Sequence, residues 1–413
     1  MSDSVSKAKV EQTPTNVVRE QHALTASRQL NAGEEHCYRL WQTYASPYSN
    51  KVMAYLNYKG IPYKRITANM ENMMGEIAER VGKPIVPVII TPDNQVLQDS
   101  TPMLEWFESQ YPHNSAIPDD NRLAFIMWLV EEFADEYMRR IHMHTRWGNE
   151  LNRSAISHRL ARTLTYAMDG VNPKDIAPFM LERQSGFNGD LGLTTPEVRA
   201  SVERQMHDLL AIFEEHFLHY QFVLGGRPSL ADFALYGSLN GHLFNDPFSA
   251  EILEVYAPRT CRWLDTISEL GDTRGHVGQT EFGDWIDLEQ KTPSTVQQLL
   301  AFIGKTYIPL AKATAAAEAQ QQDLFEVSIY GQTATFNAYP YRVWSFEQLQ
   351  NRYLSLADSD RDFVCTLLTK AQVLPAMMAD PIHHNNLYDG FTPPFIREGV
   401  CDALVKQAKS QNQ

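Results

Sequence analysis

The chain has 413 residues, and its 36 Lys and Arg against 50 Asp and Glu give a formal net charge of -14 at pH 7. Hydrophobic residues make up 43% and charged residues 21%, a balance typical of globular rather than disordered or fibrous proteins. Because nucleic-acid binding needs a basic surface and no Lys/Arg cluster interrupts this acidity, we expect no nucleic-acid partner. At roughly 150 residues per domain, the length predicts two to three structural units.

Cysteine usage and hydropathy indicate the compartment. Cys37, Cys261, Cys365 and Cys401 show neither a CxxC motif nor paired spacing, so we predict no disulfide framework and no zinc ribbon. The first residues lack the apolar stretch of a signal peptide, and no run approaches the roughly 18 apolar residues of a membrane span. We therefore expect a cytoplasmic protein without membrane association, with a flexible arm over residues 1–34.

Residues 35–113 carry the pattern of an α/β domain of order βαβαββα. The segment CYRLWQTY predicts a strand, ASPYS a turn, and SNKVMAYLNYKG a helix with Ser49 as its N-cap and Gly60 at its end. IPYKRI then predicts a second strand, and NMENMMGEIAERVG a second helix that closes on Gly82.

The same domain is predicted to end with a hairpin and a third helix. PVII and QVLQ are separated by the turn TPDN, which is typical of a hairpin. The sequence Asp99-Ser100-Thr101-Pro102 then opens a helix that ends near Tyr111, with a Ser or Thr cap and a proline in the first turn.

The remaining chain divides into a helical domain and an extension. Residues 119–290 hold long amphipathic segments such as LAFIMWLVEEFADEYMRRI, and Ser229 with Asp232 predicts a capping box. Residues 291–413 predict further helices and one hairpin, FEVSIY-GQ-TATFNAY. From the sequence, this extension either packs on the helical domain or forms a small module of its own.

Three motifs resemble the glutathione transferase superfamily. YASPYSNKVMAYLNYKGIPY resembles its first strand, turn and helix, most closely in the serine- or cysteine-using tau, zeta and omega classes. VPV at 86–88 resembles the strand with a cis proline, and Asp99-Ser100 resembles the pair that receives the γ-glutamyl end of glutathione. The resemblance implies a thioredoxin-like domain followed by a helical transferase domain. WLVEEFADEYM is similar to a helix of longer bacterial transferase-like proteins.

Ser46 is the predicted catalytic residue. A hydroxyl donor placed against a sulfur, with a helix N-terminus behind it, stabilises the thiolate and lowers the thiol pKa. The thioredoxin frame CPYC reads Ser46-Pro47-Tyr48-Ser49 here, and neither serine can form a mixed disulfide. Thiol exchange is therefore disfavoured. A simple helix-capping role for either serine, and Tyr44 or Tyr48 as phenol donors instead, remain open alternatives.

The resemblance also implies residues that bind glutathione. Val86, beside a cis Pro87, would offer its backbone N–H and C=O to the extended peptide. Asp99 would face the ammonium group, and Ser100 would bind the γ-glutamyl carboxylate at a helix N-terminus, a place that also suits a simple cap. Lys83 could reach the glycyl carboxylate, although a solvated surface lysine fits the sequence equally well.

The resemblance implies that the helical domain borders the electrophile pocket. Tyr48, Tyr137, Arg140 and Trp147 are candidates to shape that pocket, with ordinary packing as the alternative for each. We predict no metal site, since His142 and His144 stand two residues apart and would point to different faces of a helix. His383-His384 has no carboxylate or cysteine spacing to complete a site, and we expect it at the surface.

These observations lead to one leading function and two alternatives. The leading function is a glutathione transferase, with glutathione as co-substrate, whose thiolate attacks a small apolar electrophile in detoxification chemistry. A glutathione-dependent isomerase or lyase would use the same residues. A non-catalytic binding or scaffolding protein with this fold is the other alternative. A homodimer follows from the resemblance alone.

Overall fold

The computed structural model describes residues 37–271, 282–379 and 393–396. The predicted arm, the His383-His384 pair and Cys401 lie outside these residues. The first domain contains the predicted order of elements: β1 (Tyr38–Gln42), α1 (Pro47–Lys59), β2 (Tyr63–Thr67), α2 (70–81), β3 (Val88–Ile90), β4 (Val96–Gln98) and α3 (Ser100–Gln110).

The sheet of this domain has the strand order β2-β1-β3-β4, extended at the β4 edge by β7 (Phe395–Ile396) from the far end of the chain. β1 pairs parallel with β2, and its other neighbour β3 is antiparallel, as are the β3–β4 and β4–β7 pairs. Both faces are covered, because Leu40 and Leu97 belong to the large core while Trp41, Val88 and Val96 belong to a second, smaller one.

Helix α2 is less regular than the sequence predicts. It consists of Met70–Asn72, a π-helical segment Met73–Ile77 and Ala78–Val81, and Gly75 inside it has non-helical angles (φ -94°, ψ -109°). Its predicted end is confirmed, since Gly82 adopts the left-handed conformation with φ 81°.

The helical region begins at Asn121, as predicted, but the first long segment is two helices rather than one. The helix is interrupted at Tyr137, where α4 (Asn121–Glu136) ends and α5 (Met138–Gly148) begins. The predicted capping box of Ser229 and Asp232 is present at the start of α9 (Leu230–Ser238), which continues into a π-helical segment, Leu239–Phe244. The helices of this region are α4 (Asn121–Glu136), α5 (Met138–Gly148), α6 (Glu150–Leu164), α7 (Pro173–Asp190), α8 (Pro196–His216), α9 (Leu230–Ser238), α10 (Pro247–Tyr256) and α11 (Pro258–Glu269).

The described part of the extension contacts helix α4 through buried polar groups. Tyr307 and Ser345 both donate hydrogen bonds to Glu132, the latter at 2.9 Å, and Arg342 pairs with Glu136 at 3.4 Å. The predicted hairpin is present. The elements are α12 (Ser294–Ala319), β5 (Leu324–Ile329), β6 (Gln332–Asn337), α13 (Pro340–Leu354), α14 (Asp358–Lys370) and α15 (Leu374–Met377).

A buried ionic cluster joins the first domain to helix α4. Lys51 of α1, 1% exposed, donates to Glu131, to Asp135 at 2.6 Å and to the hydroxyl of Thr101 at 2.9 Å. Thr101 in turn donates to Glu131 at 2.6 Å. Burial alone would lower the pKa of Lys51, but the two carboxylates outweigh it and raise that pKa, so the ammonium stays charged.

Close packing of α9 against α1 reinforces this contact. A Cβ atom on Gly237 would lie 2.4 Å from the carbonyl oxygen of Pro47 and 3.0 Å from Cβ of Lys51. Glycine is therefore required there to let the two helices approach. None of the described helices is long and apolar enough to cross a membrane.

We predict that Lys51→Met lowers the free energy of unfolding by about 3–5 kcal/mol, because it leaves two buried carboxylates without their cation. Chemical denaturation monitored by fluorescence measures this loss. Lys305→Met, at an exposed position of α12, is the matched control and should change little. Adding Glu131→Gln and Asp135→Asn to Lys51→Met should recover part of the loss. A loss of similar size in Lys305→Met would contradict the ionic explanation.

Candidate functional site

Two adjoining cavities lie at the junction of the first domain with the helices. The Ser46 cavity, of about 400 Å³, is formed by the β1–α1 turn and by side chains of α5, α6 and α7. The Asp99 cavity, of about 340 Å³, is formed by the cis-proline segment, the start of α3 and residues of the extension. Both cavities are lined by Tyr48, Ile85, Val86 and Arg139.

Ser46 lines the first cavity as the N-cap of α1. Its hydroxyl oxygen accepts a hydrogen bond from the backbone N–H of Ser49 at 3.2 Å, so the expected cap at Ser49 is wrong by three residues. Ser49 is instead completely buried within the helix. A hydroxyl can donate one hydrogen bond while it accepts others. The capping bond therefore leaves the O–H of Ser46 available to a group in the cavity.

Neither tyrosine of this turn offers a comparable donor. Tyr48 donates its hydroxyl to the backbone carbonyl of Asp135 at 3.1 Å, and burial raises the pKa of the phenol. Tyr44 is 55% exposed, lies under the guanidinium of Arg65 at 5.1 Å from its ring centre, and is not among the residues that line either cavity.

The predicted peptide-binding residues meet in the Asp99 cavity. The bond between Val86 and Pro87 is cis, as the motif predicts, and both residues line the cavity together with Asp99, Ser100 and Lys83. Ser100 is the first residue of α3, so the cavity contains the N-terminus of that helix. Free backbone N–H groups and the helix dipole make such an end suitable for a carboxylate.

Asp99 is held by the extension. The residue has a left-handed backbone (φ 81°), and its carboxylate does not cap α3 but accepts from the hydroxyl of Tyr341 at 3.0 Å and 2.9 Å. Arg342 and Tyr339 line the same cavity. Sequence reasoning missed these three residues, because no motif links residues 339–342 to a site some 240 positions earlier.

Family models agree with this architecture. The glutathione S-transferase N-terminal domain matches residues 40–115, and the glutathione S-transferase C-terminal domain matches residues 171–270. The chain belongs to the glutathione transferase superfamily. The expected fold, a thioredoxin-like domain followed by the helical transferase domain and a C-terminal extension, is confirmed.

Individual relatives of this transferase-family chain are distant. The chain is 23% identical over 124 residues to glutathione S-transferase omega-1 of Sus scrofa; the match covers 30% of the chain and about half, 52%, of that relative. The structure of the beta-etherase LigF from Sphingobium sp. is 20% identical, with 56% of this chain and 94% of that one covered and a TM-score of 0.42. The structure of a glutathione S-transferase from Methylobacterium radiotolerans, in complex with glutathione sulfonate, is 17% identical. The match covers 60% of this chain and 99% of that one, with a TM-score of 0.34.

The candidate electrophile-pocket residues of this family member separate into two groups. Tyr48 and Trp147 line the Ser46 cavity. Tyr137 and Arg140 do not: Tyr137 donates to Gln205 at 2.6 Å in the core, and Arg140 donates to the carbonyl of Leu191 at 3.1 Å. Packing inside the helical domain accounts for both residues. They lie on a helical turn that faces α8 and the hairpin rather than the cavity.

Arg146 ties α5 to the turn that carries Ser46. It forms a bidentate ion pair with Asp246 at 2.7 Å and 2.7 Å, and donates to the carbonyl oxygen of Ala45 at 3.1 Å. The residue before Ser46 is therefore anchored to the helical domain by a charge-assisted network.

Two histidines complete this wall of the Ser46 cavity. The ring centroids of His142 and His242 lie 3.9 Å apart with the ring planes tilted by 32°. Burial, followed by the charge of Arg146, holds both pKa values well below the usual range. Both imidazoles are therefore neutral at neutral pH. Among the residues that the structure describes, no group of three or more His, Cys, Asp or Glu side chains could hold a metal ion.

We predict that Tyr341→Phe lowers the free energy of unfolding by about 1 kcal/mol, because the buried carboxylate of Asp99 loses a hydrogen-bond donor. The unfolding midpoint in denaturant measures the effect. Tyr256→Phe, on an exposed residue, is the control and should leave the midpoint unchanged. An unchanged midpoint in Tyr341→Phe would show that the contact with Asp99 contributes no stability.

Proposed function

We propose that the chain is a glutathione transferase, in which Ser46 stabilises the glutathione thiolate for attack on a small apolar electrophile. The observation that carries the proposal is the hydroxyl of Ser46. It caps α1 as an acceptor, keeps its own proton to donate, and lines a cavity that adjoins the Asp99 cavity. Glutathione placed across both cavities would bring its sulfur towards this hydroxyl.

The Asp99 cavity supplies complementary groups for the peptide. The N-terminus of α3 and the hydroxyl of Ser100 suit the γ-glutamyl carboxylate, and the carboxylate of Asp99 suits the ammonium group. The carboxylate of Asp99 can accept a hydrogen bond from the ammonium group while it also accepts one from Tyr341, because a carboxylate has about four acceptor sites. Val86 would pair through its backbone, and Lys83 would meet the glycyl carboxylate.

The sulfur is activated by lowering its pKa and by positioning. A donated hydrogen bond and the positive end of the α1 dipole both favour the thiolate over the thiol. His142, His242 and Trp147 also line the Ser46 cavity, and the two neutral imidazoles add no charge to it. The extension contributes to the Asp99 cavity, whereas none of its described residues lines the Ser46 cavity, which leaves room for an electrophile.

The first test is isothermal titration calorimetry with reduced glutathione. We expect the intact protein to bind in the micromolar to low millimolar range, and Asp99→Ala/Ser100→Ala to lose most of this affinity. Ser109→Ala/Gln110→Ala, at exposed positions near the end of α3 that line neither cavity, is a matched double control and should bind normally. Failure of the intact protein to bind would contradict the proposal and favour a non-catalytic role for the fold.

Ser46→Asp separates the capping role from the chemical role. Aspartate caps helices as well as serine does, so we expect the free energy of unfolding to change by less than about 1 kcal/mol. It offers no donor to a thiolate and repels it, so conjugation of glutathione should fall on the order of 10²-fold. Ser46→Thr, which keeps both functions, should retain most of the activity. Full activity in Ser46→Asp would limit Ser46 to capping.

A further inference from the structure

The Ser46 cavity carries a charge opposite to that of the protein as a whole. The chain has a formal net charge of -14, yet the described residues that line this cavity include Arg139, Arg146 and Arg183 and no Asp or Glu. A basic lining in an acidic protein attracts anions locally, since a cavity focuses the potential of its own wall.

Only two of the three arginines are free to act on a ligand. The charge of Arg146 is matched by its bidentate pair with the buried Asp246. His142 and His242 add no charge, because their pKa values lie well below neutrality. Within the described parts of the chain, neither Arg139 nor Arg183 forms an ion pair with a carboxylate. The net positive charge of the lining therefore comes from these two residues.

Arg139 and Arg183 differ in their exposure to solvent. Arg139 is half-buried on the wall shared with the Asp99 cavity, and its guanidinium lies 5.6 Å from the centre of the Phe187 ring. Arg183 is exposed and stands one helical turn before Phe187 on α7. An anion at Arg139 would lie in a partly dehydrated place, where charge-assisted hydrogen bonds are stronger than in bulk water.

The rest of the lining is apolar and aromatic. Trp147, Phe187, Leu160 and Met143 line the cavity, whose volume of about 400 Å³ suits a substituted aromatic ring. The cavity thus joins an aromatic-sized apolar space to a guanidinium.

We infer that the electrophile of this enzyme is an aromatic acid: its ring occupies the apolar part of the Ser46 cavity, and its anionic group binds Arg139, with Arg183 as a second cation at the entrance. This inference rests on the proposed function for the reaction, but the anion site itself does not require glutathione. It narrows the expected small apolar electrophile to one with an apolar ring and a negative charge.

A matched pair of inert ligands tests the anion site directly. The ligands are 3,5-dinitrobenzoate and its methyl ester, which share a ring and differ in charge, and quenching of tryptophan fluorescence measures their binding without glutathione. We expect the acid to bind about tenfold more tightly than the ester, and added salt to weaken only the acid. Equal affinities, or no binding of either ligand, would overturn the inference.

Four variants assign the preference to its residues. Arg139→Gln should lower the acid-to-ester ratio towards one, Arg183→Gln should lower it partly, and Arg139→Lys should keep most of it. Arg153→Gln is the control, because this exposed arginine of α6 lines neither cavity. Thermal unfolding midpoints establish that each variant is folded. A ratio unchanged in a folded Arg139→Gln/Arg183→Gln double variant would also overturn the inference.

A reactive pair extends the test to turnover. In 4-chloro-3,5-dinitrobenzoate, the glutathione sulfur forms a bond to the chlorinated carbon, chloride leaves with the C–Cl bonding electrons, and the thiol proton passes to solvent. Relative to the uncatalysed rates, kcat/KM should favour the acid over its methyl ester, and Arg139→Gln should remove this preference. Absence of glutathione binding with a retained acid-to-ester ratio would refute the transferase and leave the anion site. Turnover of both compounds without a preference for the acid would support the transferase and overturn the anion site.

Discussion

The buried ammonium of Lys51 is the interaction on which the arrangement of the site depends. It joins α1 to Glu131 and Asp135 of α4, and Thr101 at the start of α3 belongs to the same cluster. Burial and the neighbouring charge of Glu131 raise the pKa of Asp135 to about 7, although Lys51 opposes this shift. Because removal of the cation would leave uncompensated buried charge, the cluster fixes α1 and α3 against one helix. The N-termini of α1 and α3 are the two ends that carry Ser46 and Ser100.

Helix α4 extends this role through its other acidic residues. Glu132, whose pKa is raised by burial and by neighbouring Glu136, accepts hydrogen bonds from Tyr307 and Ser345 of the extension. Glu136 pairs with Arg342, and this places the neighbouring Tyr341 on Asp99. One face of α4 therefore holds the first domain and another holds the extension. The same contacts that stabilise the fold complete the wall of the Asp99 cavity.

The Ser46 cavity combines a helix-capping hydroxyl with two arginines that differ in their ion pairing. The hydroxyl oxygen of Ser46 accepts the hydrogen bond that caps α1, and its O–H remains available as a donor, because a hydroxyl can accept and donate at the same time. Arg146 forms an ion pair with Asp246 and donates to the backbone carbonyl before Ser46. Arg139 forms no ion pair with a carboxylate in the described parts of the chain. A positive wall beside a proposed thiolate would favour the thiolate and an anionic substrate alike.

The sequence by itself determined the order of elements in the first domain, the cis Pro87, the capping box at Ser229 and the grouping of Val86, Asp99 and Ser100. The order of elements and the capping box depend on local patterns of turn and cap residues, whereas the cis Pro87 and the grouping of Val86, Asp99 and Ser100 were implied by the resemblance of three motifs to the transferase superfamily. The helix breaks at Gly75 and Tyr137 were not predicted, because the apolar periodicity of the sequence continues through both positions. Tertiary structure alone decided the partners of Lys51, the contact between Tyr341 and Asp99, and the positive lining from Arg139 and Arg183. Each joins residues far apart in the chain, and a charged residue in a sequence does not show whether it will be buried, paired or left facing a cavity.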